Sequence, residues 1–134
     1  MFNIGLRTFL PMIGERISAG YPSPAEDWVE GSIDLNLELI THPSSTFLFR
    51  VMGQSMIGVG IGEGDLLIVD RALEARHNTI VVAIVDGELT VKRLYQKGGL
   101  VRLEPENQRF KPIEFNGKEE LSIWGVVKHS IKSF

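Results

Sequence analysis

The sequence predicts a mainly β protein: a compact domain of several short strands, preceded by an extended N-terminal arm and one or two short helices. From residue 42 onward, runs rich in Val, Ile, Leu and Phe recur, and Gly, Asn, Asp or Pro separate them. Two-residue turn signals, Asp86-Gly87 and Gly98-Gly99, stand between such runs. Regular short strands with turns between them are typical of an all-β barrel or sandwich-like body.

Six segments after residue 42 are predicted to be strands, because each combines β-branched or aromatic residues with turn residues at its ends. They are 46–52, 65–71, 79–85, 88–95, 100–103 and 121–131. Asp86-Gly87 predicts a type I′ hairpin, since both central positions of that turn need a positive φ. We expect a second hairpin at Gly98-Gly99.

The chain before residue 42 carries little regular pattern. The first ~20 residues lack a core-forming pattern and are interpreted as an extended arm. Ser23-Pro24-Ala25-Glu26 is a capping box, which predicts a short helix to about Val29. Residues 34–40 are compatible with a second helical turn, although their alternating leucines also fit a strand.

Composition limits the function classes. The 134 residues carry a net charge of −3, and Lys and Arg are scattered, so strong direct DNA binding by a basic face is not expected. No cysteine is present, which excludes disulfides, thiolate zinc sites and a cysteine nucleophile, and fits a reducing cytoplasm. No run approaches the ~20 apolar residues of a membrane helix, and we expect no signal peptide.

Ser55 is a candidate nucleophile. In Val51-Met52-Gly53-Gln54-Ser55-Met56-Ile57 a predicted strand ends at a glycine, and the serine follows two residues later. More glycines follow at alternate positions from Gly58 to Gly64. Such a turn exposes a hydroxyl and leaves backbone N–H groups available for an oxyanion. On this segment alone, a serine that only forms a turn is the more common case, since serine is frequent in turns.

A serine hydroxyl needs a base, and Lys92 is the lysine best placed to be one. It lies mid-strand between apolar residues, where desolvation would disfavour the ammonium form. A strand lysine that reaches solvent is the alternative. The other lysines considered, which are Lys97, Lys111, Lys118, Lys128 and Lys132, are predicted to be solvated. Nothing singles out His42, His77 or His129 as the base of a Ser-His-Asp triad.

Three segments resemble the peptidase domains of LexA-type repressors and UmuD-type mutagenesis proteins. They are Gly53-Gln54-Ser55-Met56, the run from Gly64 to Asp70, and Thr90-Val91-Lys92-Arg93-Leu94. Tyr21-Pro22-Ser23-Pro24-Ala25 and Trp124-Gly125-Val126-Val127 are similar to the UmuD branch in particular. The likeness runs from about Ile17 to Ser130, with the motifs in the same order.

The resemblance implies a self-cleaving serine–lysine peptidase (S24-like) that has Ser55 as nucleophile and Lys92 as general base. It aligns the cleaved bond with Ala19–Gly20 and assigns the oxyanion to backbone N–H groups of Ser55 and Gln54. The domains expected are an arm, 1–19, removed by cleavage, a linker with a short helix, 20–41, and a β peptidase and dimerisation domain, 42–134. With only ~20 residues before the cut, no helix-turn-helix module is expected.

The resemblance also implies partners. A RecA–single-stranded-DNA filament would promote cleavage after DNA damage, and the trimmed homodimer would join a UmuC-like Y-family polymerase for error-prone translesion synthesis. No cofactor, metal or membrane contact is expected. A non-catalytic β binding module and a signal-peptidase-like serine–lysine hydrolase are the alternatives, although the second would need a membrane anchor.

The remaining residues of interest receive structural interpretations. Asp65 and Asp70 are expected to cap turns rather than bind a metal. Aromatic residues predicted to lie in the core or a dimer interface are Trp28, Trp124, Phe47, Phe49 and Phe115. Acidic residues predicted to be solvated loop charges are Glu104, Glu106, Glu119 and Glu120.

Overall fold

The structure is a computed structural model that describes residues 8–14, 16–22, 24, 29–115 and 120–134. It contains two compact units, which divide between Thr41 and His42. Most of the described secondary structure is β, as the sequence predicts.

The N-terminal unit contains a two-stranded antiparallel sheet. Strand β1, Phe9–Ile13, pairs with β2, Val29–Asp34. Strand β1 was not among the predicted strands, although an extended arm was expected there. All five side chains of β1 are exposed, so the strand has no buried face and leaves no apolar–polar alternation in the sequence.

One short helix follows directly after β2. Helix α1 spans Leu35–Leu39, and the Asp34 side chain accepts a hydrogen bond from the Asn36 N–H at 3.0 Å. This cap explains why the alternating leucines form a helical turn rather than a strand. Three residues of the capping box, Ser23, Ala25 and Glu26, lie outside the described residues, as do residues 27–28. Val29 belongs to β2 instead of ending a helix.

The C-terminal unit is built on a seven-stranded sheet. Its strands are β3 (Thr46–Arg50), β4 (Leu66–Asp70), β5 (Ile80–Val85), β6 (Glu88–Lys97), β7 (Leu100–Glu104), β8 (Ile113–Glu114) and β9 (Leu121–Ile131). They are arranged in the order β3-β4-β9-β5-β6-β7-β8, with every neighbouring pair antiparallel. All six predicted strands are present, with ends displaced by up to two residues, and the two-residue β8 was not predicted.

Both predicted hairpin turns are confirmed by their backbone angles. Asp86 and Gly87 have φ values of 48° and 84° between β5 and β6, as a type I′ turn requires. Gly98 and Gly99 have φ values of 61° and 78° between β6 and β7. The first turn lets β6 pair with β5 along the full length of β5, with Val81 opposite Lys92.

Two buried clusters support this sheet. The first contains Val51, Met56, Ile61, Leu67, Val69 and Val82, and the second contains Val81, Ala83, Leu94 and Leu103. Trp124 packs beside the first cluster, with edge-on contacts to Phe47 and Phe49 at centroid distances of 5.2 Å and 5.0 Å. Trp28 lies outside the described residues. No helix in the described part of the chain is long and apolar enough to span a bilayer.

Candidate active site

Ser55 lies in a tight turn after β3. The turn is closed at its base by two hydrogen bonds at 2.9 Å, from the Val51 N–H to the Asp65 carbonyl and from the Gly64 N–H to the Val51 carbonyl. Gly53 has a φ of 94°, a conformation that favours glycine. Met56 is 2% exposed and packs in the first core cluster, so the residue after the serine fixes the turn to the protein interior. Ser55 itself is half-buried.

Lys92 lies on β6 between β5 and β7 and is only 9% exposed. Its Nζ atom is 2.9 Å from the Ser55 Oγ atom, 2.8 Å from the Thr90 Oγ1 atom and 3.1 Å from the Val91 carbonyl oxygen. The structure thus brings together the two residues that the sequence singled out, 37 positions apart. The interpretation of Lys92 as a strand lysine that reaches solvent is wrong.

The surroundings of Lys92 favour its neutral form. Burial lowers the pKa of the Lys92 amine, because desolvation penalises the ammonium ion. A neutral amine has two N–H groups and one lone pair. Its two N–H groups can donate hydrogen bonds to Thr90 Oγ1 and the Val91 carbonyl. The lone pair is then available to accept the Ser55 hydroxyl proton. This arrangement can abstract a proton from Ser55.

A cleft of about 280 Å³ opens over the two residues. It is lined by Phe49, Arg50, Val51, Met52, Ser55, Leu67, Val82, Leu89, Thr90, Val91 and Lys92. Within the described residues, the backbone N–H groups of Gln54, Ser55 and Met56 donate to no acceptor. Free N–H groups beside a nucleophile are what an oxyanion hole requires.

A second loop, residues 105–107, holds the Ser55 turn. The Glu106 N–H donates to the Ser55 carbonyl, and the Gly58 N–H donates to the Glu106 carbonyl, both at 2.7 Å. The Asn107 side-chain amide donates to the Gln54 carbonyl at 2.9 Å. Carbonyl groups on both sides of the Ser55 N–H are therefore fixed by one neighbouring loop, which sequence reasoning missed because these contacts join distant segments.

Comparison with known proteins decides the family. The model of the family described as Peptidase S24-like matches residues 11–128. The chain belongs to this family. It is 43% identical to the protein ImpA of Salmonella typhimurium over 123 residues, which cover 90% of this chain and 82% of ImpA. It is 43% identical to the protein MucA of Escherichia coli over 124 residues, which cover 91% of this chain and 84% of MucA.

A LexA repressor is also similar to this S24-like chain. The repressor of Mannheimia succiniciproducens is 44% identical over 111 residues, which cover 83% of this chain and 51% of the repressor. The resemblance to LexA- and UmuD-type proteins is confirmed by these matches. Family membership supports a serine peptidase that cleaves itself in the context of SOS mutagenesis.

Several charged residues of this S24-like peptidase differ from their predicted roles. Glu106, predicted to be a solvated charge, accepts a hydrogen bond from the Arg93 guanidinium at 2.5 Å, and both side chains are about 30% exposed. Glu104 lies at the end of β7 and pairs with Arg102 at 3.0 Å. Glu119 lies outside the described residues, and Glu120 is exposed as expected.

Lys132 is likewise not simply solvated. Its Nζ atom is 2.6 Å from the buried Asp65 carboxylate, which also accepts from the Gly62 N–H at 2.8 Å. These contacts lower the pKa of Asp65, with the Gly62 hydrogen bond as the largest cause. Asp65 therefore closes the 62–65 turn, in agreement with the expectation that it caps a turn.

His42, His77 and Asp70 form contacts away from Ser55. Asp70 accepts from His42 Nδ1 at 2.5 Å, from the Ser45 hydroxyl at 3.0 Å and from the Ala72 N–H at 2.8 Å. His77 Nδ1 accepts from the Gln96 N–H at 3.1 Å. Among the described residues, no histidine is hydrogen-bonded to Ser55, and no cluster of side chains has the composition of a metal site.

The predicted scissile bond lies in the N-terminal unit. Ala19 and Gly20 are both exposed, and they follow β1 in a segment without regular structure. The Gly20 N–H donates to the Ser18 hydroxyl at 3.2 Å. An exposed, irregular segment can adopt the extended conformation that a peptidase cleft requires.

Proposed function

We propose that Ser55 and Lys92 form the catalytic dyad of a self-cleaving serine peptidase whose substrate is the Ala19–Gly20 bond of the same protein. The observation that carries this proposal is the 2.9 Å distance between Lys92 Nζ and Ser55 Oγ, in a site where burial lowers the pKa of the amine. Proximity alone would not suffice, because an ammonium ion cannot accept the serine proton.

The reaction begins with proton transfer from the Ser55 hydroxyl to the neutral Lys92 amine. The Ser55 oxygen then attacks the Ala19 carbonyl carbon, and the electron pair of the carbonyl moves to its oxygen. Collapse of this intermediate breaks the Ala19–Gly20 bond, and Lys92 returns the proton to the departing Gly20 nitrogen. Water, deprotonated by the same amine, hydrolyses the Ala19 ester and regenerates Ser55.

Backbone N–H groups would stabilise the negative charge that develops on the Ala19 oxygen. We assign this role to Gln54 and Ser55, whose N–H groups have no acceptor among the described residues. In acyl-transfer enzymes a single such donor contributes about 10²–10³ in rate. The 105–107 loop keeps these groups in place through the Gln54 and Ser55 carbonyls.

The biological role we propose follows the UmuD-type relatives. A RecA–single-stranded-DNA filament would promote cleavage, and the product of residues 20–134 would act as a homodimer. That homodimer would join a UmuC-like Y-family polymerase in error-prone translesion synthesis. The similarity to ImpA and MucA over about nine-tenths of the chain supports this branch.

The dyad is tested by a timed mass-spectrometric assay of the purified 134-residue chain at about pH 7 and about pH 10. We expect loss of Met1–Ala19 to be faster at the higher pH, because deprotonation of Lys92 supplies the base. Ser55→Ala and Lys92→Ala should abolish the loss at both pH values. Cleavage that survives Ser55→Ala would contradict the proposal.

The role of the filament needs a separate experiment. Adding RecA and single-stranded DNA with ATP at about pH 7 should accelerate the same cleavage, and it should leave Ser55→Ala intact. If the wild-type chain stays intact at both pH values and with the filament, the peptidase proposal is wrong.

A further inference from the structure

We propose that Arg93 and Glu106 form a positioning pair that fixes the Ser55 turn relative to the strand that carries Lys92. This inference rests on the proposed dyad and adds to it two residues that do not touch the reacting atoms. Lys92 and Arg93 are consecutive on β6, whereas Ser55 belongs to a separate turn after β3. The pair would be the side-chain link between those two segments.

Glu106 binds the Ser55 turn through its backbone on both sides. Its N–H donates to the Ser55 carbonyl, and its carbonyl accepts from the Gly58 N–H, each at 2.7 Å. A methyl group at Gly58 would collide with that Glu106 carbonyl. The Ser55 turn and Glu106 are therefore packed too closely to move independently.

Arg93 holds Glu106 through its side chain. The Arg93 Nε atom lies 2.5 Å from the Glu106 carboxylate, and its Nη1 atom donates to the Asn78 carbonyl at 2.6 Å. Asn78 lies in the turn before β5, where its N–H donates to the Leu94 carbonyl at 2.7 Å. The guanidinium is thereby fixed at two points, which restricts the position of Glu106.

The continuity of these contacts is what makes the pair relevant to catalysis. A hydrogen bond between Ser55 Oγ and Lys92 Nζ requires the two segments to stay in register, and small displacements of a reacting group can cost about 10²-fold in rate. The contacts begin at Arg93, the residue after Lys92, and run through Glu106 to the Ser55 carbonyl. Burial, not a neighbouring charge, lowers the pKa of Lys92, so the pair acts on geometry.

The test is a comparison of Arg93→Gln, Glu106→Gln and the double variant with the wild-type 134-residue chain. Loss of Met1–Ala19 is measured by mass spectrometry from about pH 7 to about pH 11, which gives a plateau rate and a midpoint. We expect each single variant to lower the plateau about tenfold or more without moving the midpoint. The double variant should be no slower than the slower single variant, because one linkage is lost in all three.

Arg102→Gln is the matched control. Arg102 and Glu104 form another arginine–glutamate pair on the same sheet with similar exposure, 27% and 35%, against 29% and 30% for Arg93 and Glu106. Arg102 has no hydrogen bond to the Ser55 turn among the described contacts. We expect its plateau rate to stay within about twofold of the wild-type rate.

Two outcomes overturn the positioning pair. Plateau rates for Arg93→Gln and Glu106→Gln equal to that of Arg102→Gln would mean that the linkage does not matter. A moved midpoint at an unchanged plateau would mean that Arg93 acts on the charge of Lys92 instead. Thermal melting verifies folding. Glu106→Gln, which keeps the size of the side chain but removes the carboxylate charge that binds Arg93, decides the question if Arg93→Gln does not fold. Failure of the dyad itself would appear separately, as an intact wild-type chain.

Discussion

The Thr90 hydroxyl oxygen lies 2.8 Å from Lys92 Nζ, two positions earlier on the same strand. Side chains at positions i and i+2 of a strand share a face, so this contact follows from the local backbone alone. Thr90 Oγ1 accepts a hydrogen bond from one N–H of the amine, and the Val91 carbonyl accepts one from another. The lone pair of a neutral Lys92 amine is thereby directed at Ser55 rather than left to rotate.

Thr90→Val should lower both the plateau rate of self-cleavage and the midpoint of its pH dependence. The plateau should fall about tenfold, because the amine loses an orienting acceptor. The midpoint should move to lower pH, since the lost oxygen stabilised the ammonium form and its removal lowers the pKa of Lys92 further. Thr90→Ser, which keeps the hydroxyl, is the control, and a midpoint that rises in Thr90→Val would contradict this role.

Lys92→Met should stabilise the protein at neutral pH while it abolishes cleavage. The folded pKa of Lys92 is lowered, so between that value and about 10.4 the unfolded chain binds more protons than the native chain. The free energy of unfolding of the wild-type chain therefore rises with pH across this window. At pH 7 the burial of Lys92 destabilises the fold. We expect Lys92→Met to raise the free energy of unfolding, measured in urea, by about 0.5–2 kcal/mol at pH 7 and by less near pH 10.

The comparison for Lys92→Met is made in the Ser55→Ala background, which prevents cleavage during the measurement. Lys128→Met is the control, because Lys128 is exposed on β9 and should change little. A Lys92→Met variant that is less stable than its parent at pH 7 would show that the lysine is not penalised by burial.

Gly58→Ala should destabilise the fold and slow cleavage together. The added methyl group would meet the Glu106 carbonyl and weaken the bond between that carbonyl and the residue-58 N–H. We expect a loss of about 1–3 kcal/mol in urea unfolding, as overpacking typically costs. Gly31→Ala is the control, since a methyl group there has open space within 4 Å. Equal stability of the two variants would mean that the 105–107 loop can shift to admit the methyl group at little cost in free energy.

Asp70→Asn should lower the melting temperature at neutral pH and reduce the acid sensitivity of the protein. Burial acts to raise the pKa of Asp70, but hydrogen bonds from His42, Ala72 and Ser45 outweigh it and lower the pKa. The stability from this carboxylate is therefore present above its unfolded pKa of about 3.9 and is lost as pH falls through the lower folded value.

Melting curves from pH 6 to pH 2 test the Asp70 prediction in the Ser55→Ala background. The gap between Asp70→Asn and its parent should be widest near pH 6 and narrow below about pH 4. Glu88→Gln, which changes an exposed carboxylate, should show no such gap. A gap of constant size across this range would mean that ionised Asp70 contributes nothing beyond its shape.

How much the sequence could predict depended on the range of the interactions. The strands of the C-terminal unit and both hairpins are encoded by local patterns. The apolar neighbours of Lys92 made it a candidate base, but a lysine that reaches solvent fitted the same pattern, and the family resemblance supplied its pairing with Ser55. The Arg93–Glu106 pair and the Lys132–Asp65 pair join positions far apart, so no local pattern distinguishes them from solvated charges. Strand β1 was missed because its side chains are all exposed, which removes the alternation that marks a strand.

The last prediction concerns the residue before the proposed cut. Leu67 and Val82, which line the cleft, are 2% and 3% exposed and belong to the first core cluster, so they cannot recede to admit a large side chain. Ala19→Phe should therefore slow self-cleavage at about pH 10 by about 10²-fold, because the scissile carbonyl would be held away from Ser55.

Ile17→Ala, at a position that is 96% exposed, controls for changes in the arm and should cleave within about threefold of wild type. The products are identified by mass, so a variant cut at another bond is recognised at once. If Ala19→Phe is cleaved at the wild-type rate before Gly20, the cleft does not select the residue at position 19, and the small residues there have another cause.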